Sequence, residues 1–357
     1  MKPVSLNQLL FDSKSDSLSF FYTPLSDSPD LSQLDVFLED MKTQLSLQAK
    51  VKVKKALEKN LVEIKRIIKS HPEKSHGFFL SESLQGYVVL EQKIHSYCII
   101  GKTFHVRPLL EEISVNPEFV LINISLYDIK IYRGDFQHLE IIQQYEFDEL
   151  PKNFNEESSR LYAPQHLGLI PYKTILALKT IAHKIMDVIL YHSLPVVVTG
   201  LDEMKSIFLR YFDHSYGIIS NIQEDFYEKT CVEIVERCKN FRSQVMDFYS
   251  AQLKERIKRM MKSKRLLTDL GDIIEAAHQG RVVHLVLPSE KKVWGKIDFS
   301  TGEYSLHKRM NKKTSIDILN ELAEEVIKQG GKIQILGPHF FPQDSSVIAI
   351  LRGHYDF

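Results

Sequence analysis

The stretch LPKNFNEESSRLYAPQHLGLIP, residues 150–171, separates two segments whose patterns predict different secondary structure. Before it, residues 119–126 form an apolar run typical of a buried strand. Residues 128–132 and 139–147 follow as alternating strands around a turn, which predicts a three-stranded meander. After it, apolar side chains recur at three- and four-residue steps and predict an amphipathic helix. The stretch is therefore a polar loop between a sheet and a helix of one mixed α/β domain.

Strand and helix patterns also alternate on both sides of this domain. On the N-terminal side, a helical pattern over residues 31–70 is stopped by His71-Pro72 and flanked by strand patterns at 18–22, 77–80 and 86–90. On the C-terminal side, a long helical pattern at 223–264 and helices at 267–278 and 315–329 alternate with strands, which indicates a three-layer α/β/α domain. We therefore predict an N-terminal α+β domain (1–115), a middle domain (116–221) and an α/β/α C-terminal domain (222–357).

Composition excludes several classes of function. Lys and Arg together number 46, as do Asp and Glu together, so the formal net charge is zero. No global electrostatic field therefore attracts the chain to nucleic acid such as DNA or to a membrane. The three cysteines are too few and too unevenly spaced for a disulfide framework or a zinc site, and the 14 histidines are scattered. The sequence thus predicts neither metal nor cofactor. It contains no apolar run of about 20 residues, as a membrane span requires, and a cytoplasmic location is expected.

Positive charge is concentrated locally. The segment KERIKRMMKSKR, residues 254–265, holds seven basic residues and one acidic residue, and on a helix these would cover more than one face. Lys and Arg that neutralise phosphates gain by releasing condensed counterions, so the segment is a candidate RNA contact as well as an ordinary solvated helix end. A second basic run, residues 50–69, carries an apolar stripe on one face and lysines on the other. The candidate RNA-binding residues of the first segment are Lys254, Arg256, Lys258, Arg259, Lys262, Lys264 and Arg265.

Four separated segments carry a resemblance to a known family. They are FHVRPLL (104–110), PVVVTG (195–200), DIIEAAHQGRV (272–282) and IAILR (348–352). Their order and spacing resemble those of bacterial relatives of the archaeo-eukaryotic class-one peptide-chain release factors and Pelota. The resemblance implies a variable first domain, a ribonuclease-H-like middle domain and a C-terminal domain of the kink-turn-RNA-binding ribosomal-protein type. It also implies contact with the ribosome or a translational GTPase.

Release factors carry a catalytic Gly-Gly-Gln loop, and the resemblance implies that residues 150–171 of this chain occupy the corresponding place. The two glycines allow backbone conformations closed to other residues, whereas this chain has Pro164 before Gln165. Proline fixes φ and removes an N–H donor, so Gln165 is a weak catalytic candidate and the chain is not expected to be an enzyme of this type. The loop is either a solvated surface loop or an RNA contact, and in the second case Lys152, Arg160 and His166 are the candidate residues.

Three functions follow from these observations. The first is a non-catalytic, ribosome-associated factor that occupies the A site as a tRNA mimic, in rescue of stalled ribosomes or in hibernation. The second is peptidyl-tRNA hydrolysis through Gln165, which requires a positioned water and a stabilised oxyanion. The third is a regulatory protein that binds structured RNA by shape and backbone and never contacts the ribosome.

Overall fold

The protein is described by a computed structural model. Its described residues are 1–12, 15–24, 31–125, 128–146, 172–192, 194–200, 202–212, 218–219, 222, 224, 226–289, 291–307, 316–341 and 347–353. They form two compact units, which we call the discontinuous unit (Met1–Ser114 with Ile257–Phe357) and the continuous unit (Val115–Arg256). Each contains mixed sheets covered by helices, so the predicted mixed α/β multidomain architecture is confirmed.

The first segment of the discontinuous unit is built around a five-stranded sheet. Its elements are β1 (Lys2–Pro3), α1 (Leu6–Leu10), β2 (Ser17–Tyr22), α2 (Leu31–Leu47), α3 (Val51–Ser70), β3 (Ser75–Leu80), β4 (Gln85–Leu90), β5 (Tyr97–Gly101) and α4 (Arg107–Val115). The strand order is β1-β4-β3-β2-β5, and all neighbours except β1 and β4 are antiparallel. Side chains alternate across β2: Phe20 packs with α2 and α3, whereas Phe21 packs in a second core on the opposite face. Both faces of this sheet are therefore buried.

The continuous unit is a second five-stranded sheet with helices on both faces. Its elements are β6 (Phe119–Ile124), β7 (Asp128–Gly134), β8 (Leu139–Glu146), α5 (Tyr172–His192), β9 (Val196–Gly200), α6 (Asp202–Tyr211), β10 (Ile218–Ile219), α7 (Cys231–Cys238) and α8 (Arg242–Lys262). The order is β10-β9-β6-β7-β8, with β6, β7 and β8 antiparallel and β9 parallel to β6. The predicted meander is thus confirmed.

Alternation along β6 again divides two cores. Ile122 packs with residues of α5 and α6, whereas Leu121 packs with residues of α7 and α8. At the end of β9, Gly200 has φ +118°, and a β-carbon there would lie 2.0 Å from the Ile124 carbonyl oxygen. Only glycine allows the two parallel strands to approach so closely at this point.

The last segment of the discontinuous unit contains two small sheets. Its elements are β11 (Leu266–Leu267), α9 (Leu270–His278), β12 (Val282–Pro288), β13 (Trp294–Asp298), β14 (Glu303–Leu306), β15 (Ile316–Asp317), α10 (Ile318–Lys328), β16 (Lys332–Leu336) and β17 (Ile348–Leu351). The strand orders are β11-β17-β12-β16 and β14-β13-β15. Apolar residues of α9, α10 and β12 share one continuous core with Phe21 and Phe79 of the first segment. The two ends of the chain therefore fold together.

Two helical predictions differ from the structure. The pattern over residues 31–70 forms two helices, because Ala49 adopts a left-handed φ of +55° and the Lys50 N–H bonds back to the Leu45 carbonyl at 2.9 Å. The single helix predicted over 223–264 is wrong. Thr230 starts α7 with a capping box, and a 3-10 turn at Lys239–Phe241 separates α7 from α8 while burying Phe241.

Candidate RNA-contacting site

The basic end of α8 and the turn after it form the candidate site in the described part of the chain. Lys258, Arg259 and Lys262 lie on the last turns of the helix, and Lys264 follows in a left-handed conformation with φ +56°. All four side chains are exposed. None has an ion-pair or hydrogen-bond partner among the described residues. Four cations within seven residues, left unneutralised, can bind the phosphates of a polyanion.

The turn that presents these cations is anchored on the C-terminal sheet. The N–H groups of Ser263 and Arg265 both bond to the Met260 carbonyl, at 3.1 and 3.3 Å, and so close the end of α8. Strand β11 then pairs with β17 in antiparallel register. The guanidinium of Arg265 donates from Nε and Nη2 to the Leu351 carbonyl at 3.1 and 2.8 Å. Arg265 therefore holds the turn in place, because its guanidinium is hydrogen-bonded to a backbone carbonyl.

Two further predicted RNA-contacting residues lie on the described part of α8 but are engaged in other interactions. Lys254 and Arg256 lie on α8 within the continuous unit, and each makes further interactions. Lys152, Arg160, Gln165 and His166 lie outside the described residues. The site that the structure brings together is therefore Lys258, Arg259, Lys262 and Lys264, which we call the α8 cluster.

A buried polar network in the same unit was missed by the sequence analysis. Arg107, only 2% exposed, begins α4 and donates from Nη1 to Oδ2 of Asp317 at 3.2 Å. Its Nη2 donates to the carbonyls of Pro288 and Ser289. Asp317 is also the N-cap of α10, and its Oδ1 accepts the N–H groups of Val293 and Leu319, both at 3.2 Å. One guanidinium thus ties the first segment to the last.

Asn320 completes this network, which we call the Arg107 joint. Its Oδ1 accepts the N–H groups of Val106 and Arg107 at 2.8 and 3.1 Å, so a side chain of α10 caps the start of α4. Its Nδ2 donates to the Phe104 carbonyl at 3.2 Å and to Oε1 of Glu324 at 2.8 Å. The signal in the sequence was one arginine within the apolar run FHVRPLL, but its partners lie about two hundred residues away.

Several ionisable groups around the Arg107 joint have pKa values shifted from their usual range. Burial raises the pKa of the Glu111 carboxyl to about 7, although Arg107 Nε lies 3.7 Å from it. Burial also lowers the pKa of Lys292, whose ammonium stands 4.1 Å above the Tyr97 ring centre, and keeps the pKa of His105 well below its usual range. Every one of these shifts has desolvation as its main cause, which is typical of a structural joint. Perturbed titration alone does not identify chemistry.

The described ranges offer neither a metal centre nor a membrane-spanning helix as an alternative site. No group of three or more His, Cys, Asp or Glu there could hold a metal ion. None of the helices searched is both long and apolar enough to cross a bilayer. Burial raises the pKa of the Cys238 thiol to about 12, so this buried cysteine is unreactive.

The chain is similar to several solved structures. They include ribosome-bound archaeal Pelota (10% identity, TM-score 0.43, covering 99% of this chain and 95% of that one), Saccharomyces cerevisiae Dom34 (13%, 0.38, 78% and 79%) and Archaeoglobus fulgidus Pelota (16%, 0.34, 78% and 79%). No curated protein sequence matches the chain significantly.

A sequence profile gives the decisive comparison. The profile of the bacterial archaeo-eukaryotic release factor family 3 matches residues 118–281. This range runs from the first strand of the continuous unit to the end of α9 and contains both the loop 150–171 and the α8 cluster. The resemblance predicted from the sequence is therefore confirmed: residues 118–281 are similar to the bacterial archaeo-eukaryotic release factor family 3.

Proposed function

We propose that the protein is a ribosome-associated factor that occupies the ribosomal A site in place of tRNA, in rescue of stalled ribosomes or in hibernation, without Gly-Gly-Gln catalysis. The observation that carries the proposal is the α8 cluster, four exposed cations with no partner in the described part of the chain. The similarity of residues 118–281 to a release-factor family makes the ribosome the candidate polyanion. Pro164 in place of a glycine before Gln165 argues against ester hydrolysis.

The domain organisation is part of this proposal. We infer three domains, 1–115, 116–221 and 222–357, of which the middle one is ribonuclease-H-like and the last is of the kink-turn-RNA-binding ribosomal-protein type. The meander β6-β7-β8 extended by the parallel strand β9 supports the first assignment. Helices α9 and α10 packed with β12 in one core support the second. We further propose a cytoplasmic location, and a translational GTPase as a second partner.

Electrostatics gives the expected size of the effect. Each phosphate neutralised on a duplex contributes about 0.9 to the slope of log K against log salt concentration. Four contacts therefore give a slope of about −3.6, and an affinity that falls about 100-fold between 50 and 200 mM salt. Mutation of the cluster removes this part of the salt dependence.

The test is co-sedimentation with purified ribosomes across a salt series, comparing the wild type with the variant K258Q/R259Q/K262Q/K264Q. We expect the variant to bind more weakly at low salt and with a slope reduced by about 3 to 4. The control is K52Q/K54Q/K65Q, because these lysines are neutralised by Glu82, Glu58 and Asp35. Equal binding by wild type and variant, or recovery of small structured RNAs in place of ribosomal RNA on cross-linking, would contradict the proposal.

A further inference from the structure

A line of cations runs along the outer face of α3, at a distance in sequence from the α8 cluster. Lys55, Lys59, Arg66 and Lys69 are all exposed, and Val62 between them is 82% exposed. At about 100° per residue, these five positions fall within an arc of about 80°, and they extend over about 21 Å of helix axis. We call this line the α3 stripe.

The lysines of the α3 stripe differ from the other basic residues of the helix. Lys50, Lys52 and Lys65 form ion pairs with carboxylates outside α3, at 2.5 to 2.6 Å. Lys54 pairs with Glu58 at 3.9 Å, and Arg66 with Glu63 at 2.7 Å. Within the described part of the chain, no such partner exists for the three lysines of the stripe. Ion pairing therefore neutralises the flanking lysines and Arg66, and it leaves Lys55, Lys59 and Lys69 as the unpaired cations of the stripe.

A row of unpaired cations matches the regular array of phosphates on a nucleic-acid duplex. Along the axis of a B-form duplex, each strand contributes a phosphate about every 3.4 Å, so about 21 Å of axis carries about six phosphates of one strand. Flexible lysines bind such an array as point charges and need no fixed geometry. Because α3 packs against the first sheet through Val53, Leu57, Ile64 and Ile68, the stripe is held on a rigid support.

We propose that the α3 stripe is a second RNA-binding surface, which contacts the phosphate backbone of a structured RNA through Lys55, Lys59 and Lys69. The proposal deepens the function proposed above, and rests on it where the RNA is ribosomal. The Arg107 joint holds the first segment, which carries α3, in the same compact unit as the α8 cluster. Both surfaces are therefore assigned to the discontinuous unit. Neutralising either should lower the salt dependence of binding independently of the other.

The experiment measures the binding of full-length protein to a 24-base-pair RNA duplex and, separately, to ribosomes across a salt series. The test variant is K55Q/K59Q/K69Q, whose side chains are exposed and make no intramolecular bonds in the described part of the chain. We expect its salt slope on the duplex to fall by about 2 to 3, three contacts at about 0.9 each. The matched control K291Q/K296Q/K332Q removes three exposed lysines from the last segment, and its slope should equal that of the wild type.

The outcomes separate this inference from the function proposed above. Ribosome and duplex binding with a wild-type slope in K55Q/K59Q/K69Q would overturn the α3 stripe and leave the function standing. A stripe-dependent slope on the duplex without ribosome binding would support the stripe and refute the ribosomal function. Failure to bind the duplex, with stripe-dependent binding to phosphatidylglycerol vesicles, would overturn the assignment of RNA as the partner.

Discussion

Replacement of Asn320 by alanine tests whether the Arg107 joint holds the two ends of the chain together. The substitution removes two hydrogen bonds to the N–H groups of Val106 and Arg107, one to the Phe104 carbonyl and one to Glu324. All of these bonds are buried. At about 1 kcal/mol for each bond, with an added cost for buried groups left unsatisfied, we expect a loss of about 3–5 kcal/mol.

The assay is urea unfolding combined with native-state hydrogen exchange of the Val106 and Arg107 amides. Both amides should lose protection in Asn320→Ala, whereas protection in the sheet β6–β9 of the continuous unit should be retained. The control is Asn7→Ala, because this exposed side chain in α1 makes no hydrogen bond in the described part of the chain, and it should change stability by less than about 0.5 kcal/mol. A loss below about 1 kcal/mol in Asn320→Ala, with both amides still protected, would refute the reasoning.

Three further predictions concern single residues. Burial lowers the pKa of His76 to about 4, so its neutral form contributes stability that is fully present above pH 6.5 and is lost as the pH falls towards 4. His76→Leu should remove up to about 3 kcal/mol of this acid sensitivity in urea titrations at pH 4.5 and 7; an unchanged pH dependence would contradict it. The pKa of Glu111 is raised to about 7, so its ionisation in the folded state costs stability as the pH rises from 4.5 to 7. Glu111→Gln should therefore be more stable than the wild type at pH 8 but not at pH 4, and the opposite order would show that the Arg107 contact dominates. Gly200→Ala should lose at least about 2 kcal/mol in urea unfolding, because its β-carbon would meet the Ile124 carbonyl oxygen at positive φ; a neutral effect would disprove the close approach of β6 and β9.

The strands were predictable because their signals are local. The alternation from Asp128 to Tyr132 and the turn at Arg133–Asp135 predict β7 and the hairpin into β8, and the structure contains both. Gly280 follows α9 at φ +70° and Gly330 follows α10 at φ +78°, the left-handed conformation in which glycine commonly ends a helix. Each of these signals depends on a few neighbouring residues.

The features that could not be predicted from the sequence depend on contacts between residues that are far apart in the chain. Ala49 has no intrinsic preference for a left-handed conformation, so the break between α2 and α3 comes from the packing of both helices on one sheet. Arg265 looks like any other cation in the basic segment, yet its guanidinium bonds to Leu351, 86 residues away. The basic composition therefore identified the candidate site, and only the fold separates its exposed cations from its structural arginine.

The α3 stripe likewise combines a charge run that the sequence shows with ion pairing that only the structure shows. The sequence places eight basic residues between Lys50 and Lys69 and predicts one positive outer face. It does not show which of them are neutralised, because Asp16, Asp35 and Glu82 come from other elements. Three-dimensional pairing reduces a general charge run to a narrow line of cations.

The most direct test of the central claim is competition for the A site. Purified ribosomes with an empty A site and ribosomes with the A site filled by tRNA should be incubated with the protein at one low salt concentration, and bound protein measured after sedimentation. We expect binding to the empty ribosomes, loss of binding when the A site is filled, and weak binding to either by K258Q/R259Q/K262Q/K264Q. Equal binding to empty and filled ribosomes would contradict the proposal that the protein takes the place of tRNA.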